Sequence, residues 1–549
     1  MTKYLLCILF LLACFQVKAE PSLINVLSSQ CENLPSIQLP EAASLSEQQH
    51  RYEQQSLVLN NISDGLNYLR QYPLNTSTTE KLINCQMELV QIWDNFIRSD
   101  YSSSFIGALT KSSLPKHKLL GLKLQDSKQL LLSENNLARL RTMEAIFRSN
   151  LKARTARISV GNINCALNGH MQFGFEEEYS ISSYLIKQPN QECRKLVWDK
   201  FYHRPYLKRA LNEIKKIRTL QAKNNGYADY THLTIANNYL DTPELIEQYL
   251  NLKSALKASL PWNIGSELAK AHKPPKTKTK VIAKTLILEA LQDLTKFSIR
   301  YDFIENQVIR LWYKEHLLGD IILITNAQTQ TPSDMIRYPI VSYQFAQAQL
   351  FTAEVLTTQK QQKYLLQQLA KLVTDFAKAS HSYLTTNAIE DGDSNNIGEQ
   401  WLAQYFIRSR LKQHEQNYRQ ILVKNYLTQL NILRAKIALR FYMKQGISKH
   451  ELLSQTTSAL KAQLPINSDY LFNFDGMIDS GPNFYAKEWQ KDLAGYLFNY
   501  SIEHDLQHHF FERFIVNEQQ KSFQENLNLL LNQNITKKTL IKLVTKFNS

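Results

Sequence analysis

The chain has 549 residues and a formal net charge of +15, with 44% apolar and 21% charged residues, the ordinary composition of a globular protein with room for more than one core. Only 15 Gly and 15 Pro interrupt it, which argues against a sheet-rich or loop-rich protein and suits long helices. The basic residues are scattered, as in Lys215-Lys216, Lys276 to Lys280 and Lys537-Lys538, and no nucleic-acid motif accompanies them.

In chain order, the first residues predict an export signal. Lys3 supplies the positive start, Tyr4 to Phe15 is apolar, and Val17-Lys18-Ala19 puts small residues at a cleavage point before Glu20. The apolar run is too short to span a bilayer, and no other stretch approaches that length, so no membrane span is expected. A rival reading takes Leu11-Leu12-Ala13-Cys14 as a lipid-attachment box with Cys14 as the anchor. Export predicts a periplasmic or secreted protein in an oxidising compartment. Of the six cysteines, Cys31, Cys85, Cys165 and Cys193 lie beyond the signal. Three pairings are possible. Pairing of sequence neighbours, Cys31–Cys85 and Cys165–Cys193, is the expectation, and four buried thiols the alternative.

Residues 20 to 50 look irregular, with Pro35 and Pro40 bounding a weak pattern. From about Gln48 the pattern turns helical, with Leu57, Ile62, Leu66 and Leu69 recurring at helical spacing. Residues 79 to 108 and 119 to 151 read as further helices. Ile158-Ser159-Val160, Met171-Gln172-Phe173 and Tyr184-Leu185-Ile186 predict a small hairpin region. Helices resume at Gln191 and run to about Ser298, one of them opened by Thr242-Pro243-Glu244. Lys273 to Lys280 reads as a basic linker. Ile321 to Ile324 and Tyr338 to Val341 read as strands, and helices fill the rest around a loop from Asn387 to Asn396.

The segment from Ser182 to Leu250 carries Arg194 with Trp198, Glu213-Ile214 with Arg218, Gly226-Tyr227 with Tyr230, and Pro243. This pattern resembles the thimet oligopeptidase, neurolysin and oligopeptidase A family of zinc metallopeptidases. Phe147 to Leu151 upstream, Tyr338-Pro339-Ile340 with Tyr343-Gln344-Phe345, and Ala494-Gly495-Tyr496 through Glu503 fall in the family's order. The resemblance spans roughly residues 115 to 516. It implies a mostly α fold: a large two-lobed helical body with a central channel for short peptides and minor β hairpins. The expected organisation is a signal peptide at 1–19, an N-terminal helical region at 20–114, the oligopeptidase-like domain at 115–516 and a helical tail at 517–549. A monomer is expected.

A helical zinc peptidase needs two His at i and i+4, so that both imidazoles share one face, and a Glu between them to activate the metal-bound water. No H-E-x-x-H exists here; His414-Glu415 and His450-Glu451 begin one, but Tyr418 and Ser454 occupy the fifth position. The resemblance maps the family's motif onto Phe376 to His381. Its first His becomes Ala377, its general base becomes Lys378, and its second His remains as His381. The third ligand maps to Gly398, or to Glu399 with a one-residue slip. Positions that hold the peptide carbonyl and oxyanion map to Lys487, the retained Tyr496, and Asn499, beside Tyr500. The one H-x-x-x-H, His504-Asp505-Leu506-Gln507-His508, offers a displaced site with Asp505 as base and Glu503 or Glu512 as ligand. Trp401, Tyr405, Phe406, Tyr496 and Tyr500 read as core or, alternatively, as channel lining.

These positions predict an exported, catalytically inactive homologue that binds or regulates short peptides. No cofactor is expected, and zinc only if the family activity is retained. An active metallopeptidase with a displaced site, and an interaction protein with a collapsed channel, are the alternatives.

Overall fold

The structure, a computed structural model, describes residues 23–547 apart from 41–42, 71, 73, 154–156, 175–179, 255–258, 274–279, 306, 326–330, 387–391, 413–416, 447, 449–450, 452–453 and 455–468. The expected export signal, Cys14, most of the basic linker, His414, Glu415, His450 and the first half of the loop from Asn387 lie outside the described residues. The described residues are 66% helical with few small sheets, so the mostly α class holds. Among the described residues no helix is long and apolar enough to cross a membrane. The chain divides into two compact units, Met1–Leu122 with Asp334–Tyr338, and Lys123–Ser333 with Pro339–Ser549.

The first unit contains α1 (Leu23–Cys31), α2 (Leu45–Leu69), α3 (Thr76–Arg98) and α4 (Asp100–Lys111). Ser44, Asn75 and Ser99 cap the last three, each side chain accepting an amide of the first turn. Leu59, Ile62 and Leu66 of α2 meet Leu82 and Leu89 of α3 in one core. Cys31 is bonded to Cys85 within it, with Cα atoms 5.4 Å apart. The stretch expected to be irregular, 20 to 50, instead contains α1 and the start of α2; nine residues are too few for helical periodicity to stand out. The single helix expected over 79–108 is likewise cut at Ser99, whose side chain caps α4.

In the second unit, α5 (Glu134–Lys152) begins at the Ser133 cap, which divides the helix expected over 119–151. Strands β1 (Arg157–Ser159) and β2 (Gln172–Gly174) pair antiparallel. The third run expected in that hairpin region, Tyr184 to Ile186, is helical instead. Ser180 caps the turn, and the Tyr184 ring packs 4.4 Å from Phe173 while its hydroxyl donates to the Cys165 carbonyl at 2.8 Å. Cys165 is bonded to Cys193, with Cα atoms 5.3 Å apart.

Next come α6 (Gln191–Tyr202), α7 (Pro205–Asn224) and α8 (Pro243–Lys253). The residues that carry the resemblance hold this region together. Arg194 donates to the Gln188 and Pro189 carbonyls and to Asn263 Oδ1. Arg218 binds Glu144, the Tyr442 hydroxyl and the Ile478 carbonyl. Pro243 occupies the first turn of α8 under the Thr242 cap. A sheet follows with the spatial order β3 (Ile299–Ile304), β4 (Val308–Tyr313), β5 (His316–Ile324) and β6 (Ala346–Phe351). The first two pairings are antiparallel and β5–β6 is parallel. The strand expected at Tyr338–Val341 is not formed there; Ile340 makes only an isolated bridge to Gln344.

The remaining main helices are α9 (Gln359–Ala377), α10 (Ile397–Arg410), α11 (Tyr418–Tyr442), α12 (Ala486–Glu503) and α13 (Lys537–Phe547). The stretch set apart as a tail, 517–549, belongs to this unit, where α13 packs on α8 and α12.

Candidate functional site

Helix α9 forms because Leu365, Leu366, Leu369, Leu372, Val373 and Phe376 repeat at helical spacing behind a Thr358/Gln361 capping box. It stops at Ala377, and Lys378 turns extended, with φ −60° and ψ 123°. The next amide, Ala379, donates to the Val516 carbonyl at 3.0 Å rather than to the helix, and the Ser380 carbonyl accepts from Val341 at 2.8 Å. Ala377 and His381 were expected on one helix. The structure corrects this: His381 lies in a bend beyond the helix end, so the i, i+4 face needed by a pair of imidazoles is absent at these positions.

Helix α10 packs on α9 and resolves the roles of Gly398 and Glu399. A Cβ on Gly398 would stand 3.0 Å from the Phe514 carbonyl oxygen and 3.0 Å from Ile515 Cγ1. Position 398 is thus a close-approach glycine with no room for a carboxylate. Glu399 instead shares a half-buried charge cluster with α9. Asp375 is 3.2 Å from Lys371 and 3.6 Å from Lys378. Burial, reinforced by Asp375, raises the Glu399 pKa, and Lys371 and Lys378 oppose the rise. The position to which the resemblance assigns a general base carries an ammonium that already has an acidic partner.

On α12, Lys487 is exposed. Asn499 donates to the Gly495 carbonyl and accepts from Arg408 at 3.0 Å. Tyr496 packs against Tyr500 and, at 6.2 Å, against Phe547 of α13; burial raises its pKa, helped by Tyr500 and Glu503. Besides Asn499, α12 meets α10 through Phe498 and Ser501, whose hydroxyl accepts from Trp401 Nε1 at 3.1 Å. Trp401 stacks on Phe510 at 4.6 Å, and it and Phe406 are fully buried. Trp401, Tyr405 and Phe406 are thus core.

The displaced site is also corrected. His504 closes α12, Asp505 has φ +54°, and a new short helical segment starts at Gln507. His504 and His508 therefore do not share one helix face. His504 packs on Tyr500 at 4.3 Å, and His508 pairs with Glu512 at 3.5 Å. Among the described residues no three His, Cys, Asp or Glu side chains are grouped to hold a metal ion. At the family position the donors are a methyl, a paired ammonium, an imidazole off the helix and one acid, which do not fit zinc.

One polar centre escaped the sequence reading. Asp393, fully buried, accepts from the Tyr239 and Leu240 amides at 2.6 and 3.0 Å and from the Tyr485 hydroxyl at 2.8 Å. Burial raises its pKa against the pull of those bonds. It sits in Asp391-Gly392-Asp393-Ser394-Asn395, whose composition signals only a loop.

No protein-family profile matches the chain, and no curated protein matches its sequence. Among solved structures, a Pyrococcus furiosus carboxypeptidase in an apo-Mg form is similar, with a TM-score of 0.52 and 9% sequence identity, over 96% of this chain and 99% of that one. At so low an identity the likeness concerns architecture alone, and this chain shares the mostly helical fold of that structure.

Proposed function

We propose that this protein is an exported, non-catalytic homologue of the helical oligopeptidases that binds short peptides. Lys378 is the observation that carries the reading. It stands where the resemblance calls for a carboxylate base, 3.6 Å from Asp375 and in the field of Glu399. Water activation at neutral pH requires a metal and a base of opposite character to an ammonium. The peptidase-like fold supports peptides as the ligand class, and the two disulfides support an oxidising compartment.

The test is elemental analysis of purified protein with a chelator-controlled cleavage assay and a binding assay on one mixed library of short peptides. The expected result is binding without stoichiometric zinc and without chelator-sensitive cleavage. Cleavage at enzyme-like rates that a chelator abolishes overturns the reading, as does a library that neither binds nor is cut.

A further inference from the structure

A recess of about 330 Å³ opens in the second unit between the β4–β5 turn, the segment 512–521 and the helix Phe523–Leu531. Its volume lies at the small end of the range for ligand sites, about 300–1,000 Å³, which suits one amino acid or a dipeptide rather than a longer chain. Hydrogen bonds that leave the charged side chains out hold its wall. Phe511–Val516 forms a wide π-type turn, and Asn517 ends it in a left-handed conformation with φ +47°. Asn517 Oδ1 accepts from the Lys521 amide at 3.0 Å, and its Nδ2 donates to the Lys521 carbonyl at 2.9 Å, which clamps the loop 517–521. Asn526 Nδ2 donates to the Arg513 carbonyl at 2.9 Å and ties the following helix to the wide turn. Turns of this kind persist where their surroundings hold them, and they recur at functional sites.

Among the described residues five charged side chains line the recess: Lys314, Glu512, Arg513, Glu518 and Lys521. Two of them answer each other. Glu512 lies 3.9 Å from Lys314, and through its other oxygen 3.5 Å from His508. The charged ends of Arg513, Glu518 and Lys521 make no hydrogen bond or ion pair with any described residue. Arg513 and Lys521 are half-buried and Glu518 is exposed. The recess therefore offers two uncommitted cations and one uncommitted carboxylate.

We propose that this recess binds an acidic amino acid, aspartate or glutamate, alone or as the last residue of a dipeptide. Arg513 and Lys521 take its two carboxylates, and Glu518 takes the ammonium. A guanidinium matches a carboxylate with paired N–H donors, and a lysine ammonium serves the second carboxylate as a point charge. Simple ions fit worse. A divalent cation would meet Arg513 and Lys521, and a phosphate would meet Glu518. A ligand with two negative groups and one positive group leaves all three side chains compensated, and complementarity of this kind is what selects among polar ligands. The site does not rest on the peptide-binding reading, since a free amino acid suffices.

Calorimetry on the full-length protein tests this. The probes are aspartate and glutamate, free and as alanyl dipeptides, with the side-chain amide and the N-acetyl derivative of each. The variants are Arg513→Gln, Glu518→Gln and Lys521→Gln, and unfolding midpoints check that each still folds. At least one acid is expected to bind. Its side-chain amide and its N-acetyl derivative should each bind about 5- to 20-fold more weakly, the loss of a charge-assisted hydrogen bond discounted for a half-open site. Glu518→Gln should weaken the acid by a similar factor and leave the N-acetyl derivative unchanged, because that probe has no ammonium to lose. Arg513→Gln and Lys521→Gln should weaken both. Should one variant fail to fold, the other two and the comparison among probes carry the test. Binding of the free acids alone, or of the dipeptides alone, upholds the recess and identifies its source. Failure of every acid to bind at millimolar concentration overturns the proposal. Binding that all three variants leave unchanged overturns it as well, as does a side-chain amide that binds as tightly as its acid.

Discussion

Lys378 Nζ lies 3.6 Å from Asp375 Oδ1, and both side chains are about five-sixths buried, with relative exposures of 16% and 15%. The pair belongs to a cluster of two bases and two acids, Lys371, Lys378, Asp375 and Glu399, whose formal charges cancel. An ion pair this sheltered from solvent contributes more than a surface pair.

Lys378→Glu, which puts a carboxylate where the resemblance assigns a base, is accordingly expected to harm the fold without gaining activity. It places three acids beside the single cation Lys371. A loss of about 2–3 kcal/mol follows from breaking a partly buried pair. Chemical denaturation measures the loss, and elemental analysis should show no gain of zinc, since Ala377 still offers no donor. Stoichiometric zinc in this variant would contradict the account.

Glu399→Gln tests the same cluster through pH. The folded-state pKa of Glu399 is raised above its ordinary 4.5. The native state then holds the proton more tightly than the unfolded state, so stability from this group is full below about pH 4.5 and declines as pH rises through the folded value. The variant removes the buried charge. Its unfolding midpoint should match wild type at pH 4 and exceed it at pH 7. A variant equally or less stable than wild type at pH 7 would mean that Lys371 and Lys378 outweigh burial.

Gly398→Ala probes the close approach of α10 to the 511–516 segment. The added methyl meets a carbonyl oxygen and a buried isoleucine at 3.0 Å, and backbone yields little. Overpacking of this kind costs about 1–3 kcal/mol. Full stability in Gly398→Ala, seen in a denaturant titration, would show that the 511–516 segment shifts freely.

What the sequence conveyed follows from which signals are local. Helical periodicity and caps are local, so the long helices and the mostly α class were legible. Short elements were not: α1 is two turns long, and Tyr184 to Ile186 looks strand-like until Ser180 is known to cap it. The site was legible as residue types but not as geometry. His381 follows Ala377 at the right spacing, yet the Ala379 amide is claimed by Val516, more than a hundred residues away, and the helix ends. The H-x-x-x-H at 504–508 fails similarly, because Asp505 adopts a left-handed conformation. Asp393 had no motif around it; its character arises from burial among distant partners.

Lys436 provides the last prediction. It lies on α11, only 3% exposed, and its ammonium donates to Ser254 Oγ at 2.9 Å. Burial lowers its pKa to about 8; Glu247 works against this, and Arg440 adds to it. The ordinary value is 10.5, so between about pH 8 and 10.5 the unfolded state binds the extra proton. Stability therefore rises with pH across that window, and below it the buried charge carries its full penalty. Lys436→Met keeps the chain volume, drops the charge, and leaves the Ser254 hydroxyl its bond to the Leu250 carbonyl at 2.7 Å. The variant is expected to unfold at higher denaturant than wild type at pH 7, by an amount on the order of 2 kcal/mol. The advantage should shrink as pH approaches 10.5, where Lys436 is neutral in the folded wild type and about half neutral in the unfolded chain. Titrations at pH 7, 9 and 10.5 trace the difference. A Lys436→Met protein less stable than wild type at pH 7 would show that the ammonium's bond to Ser254 and attraction to Glu247 exceed its desolvation.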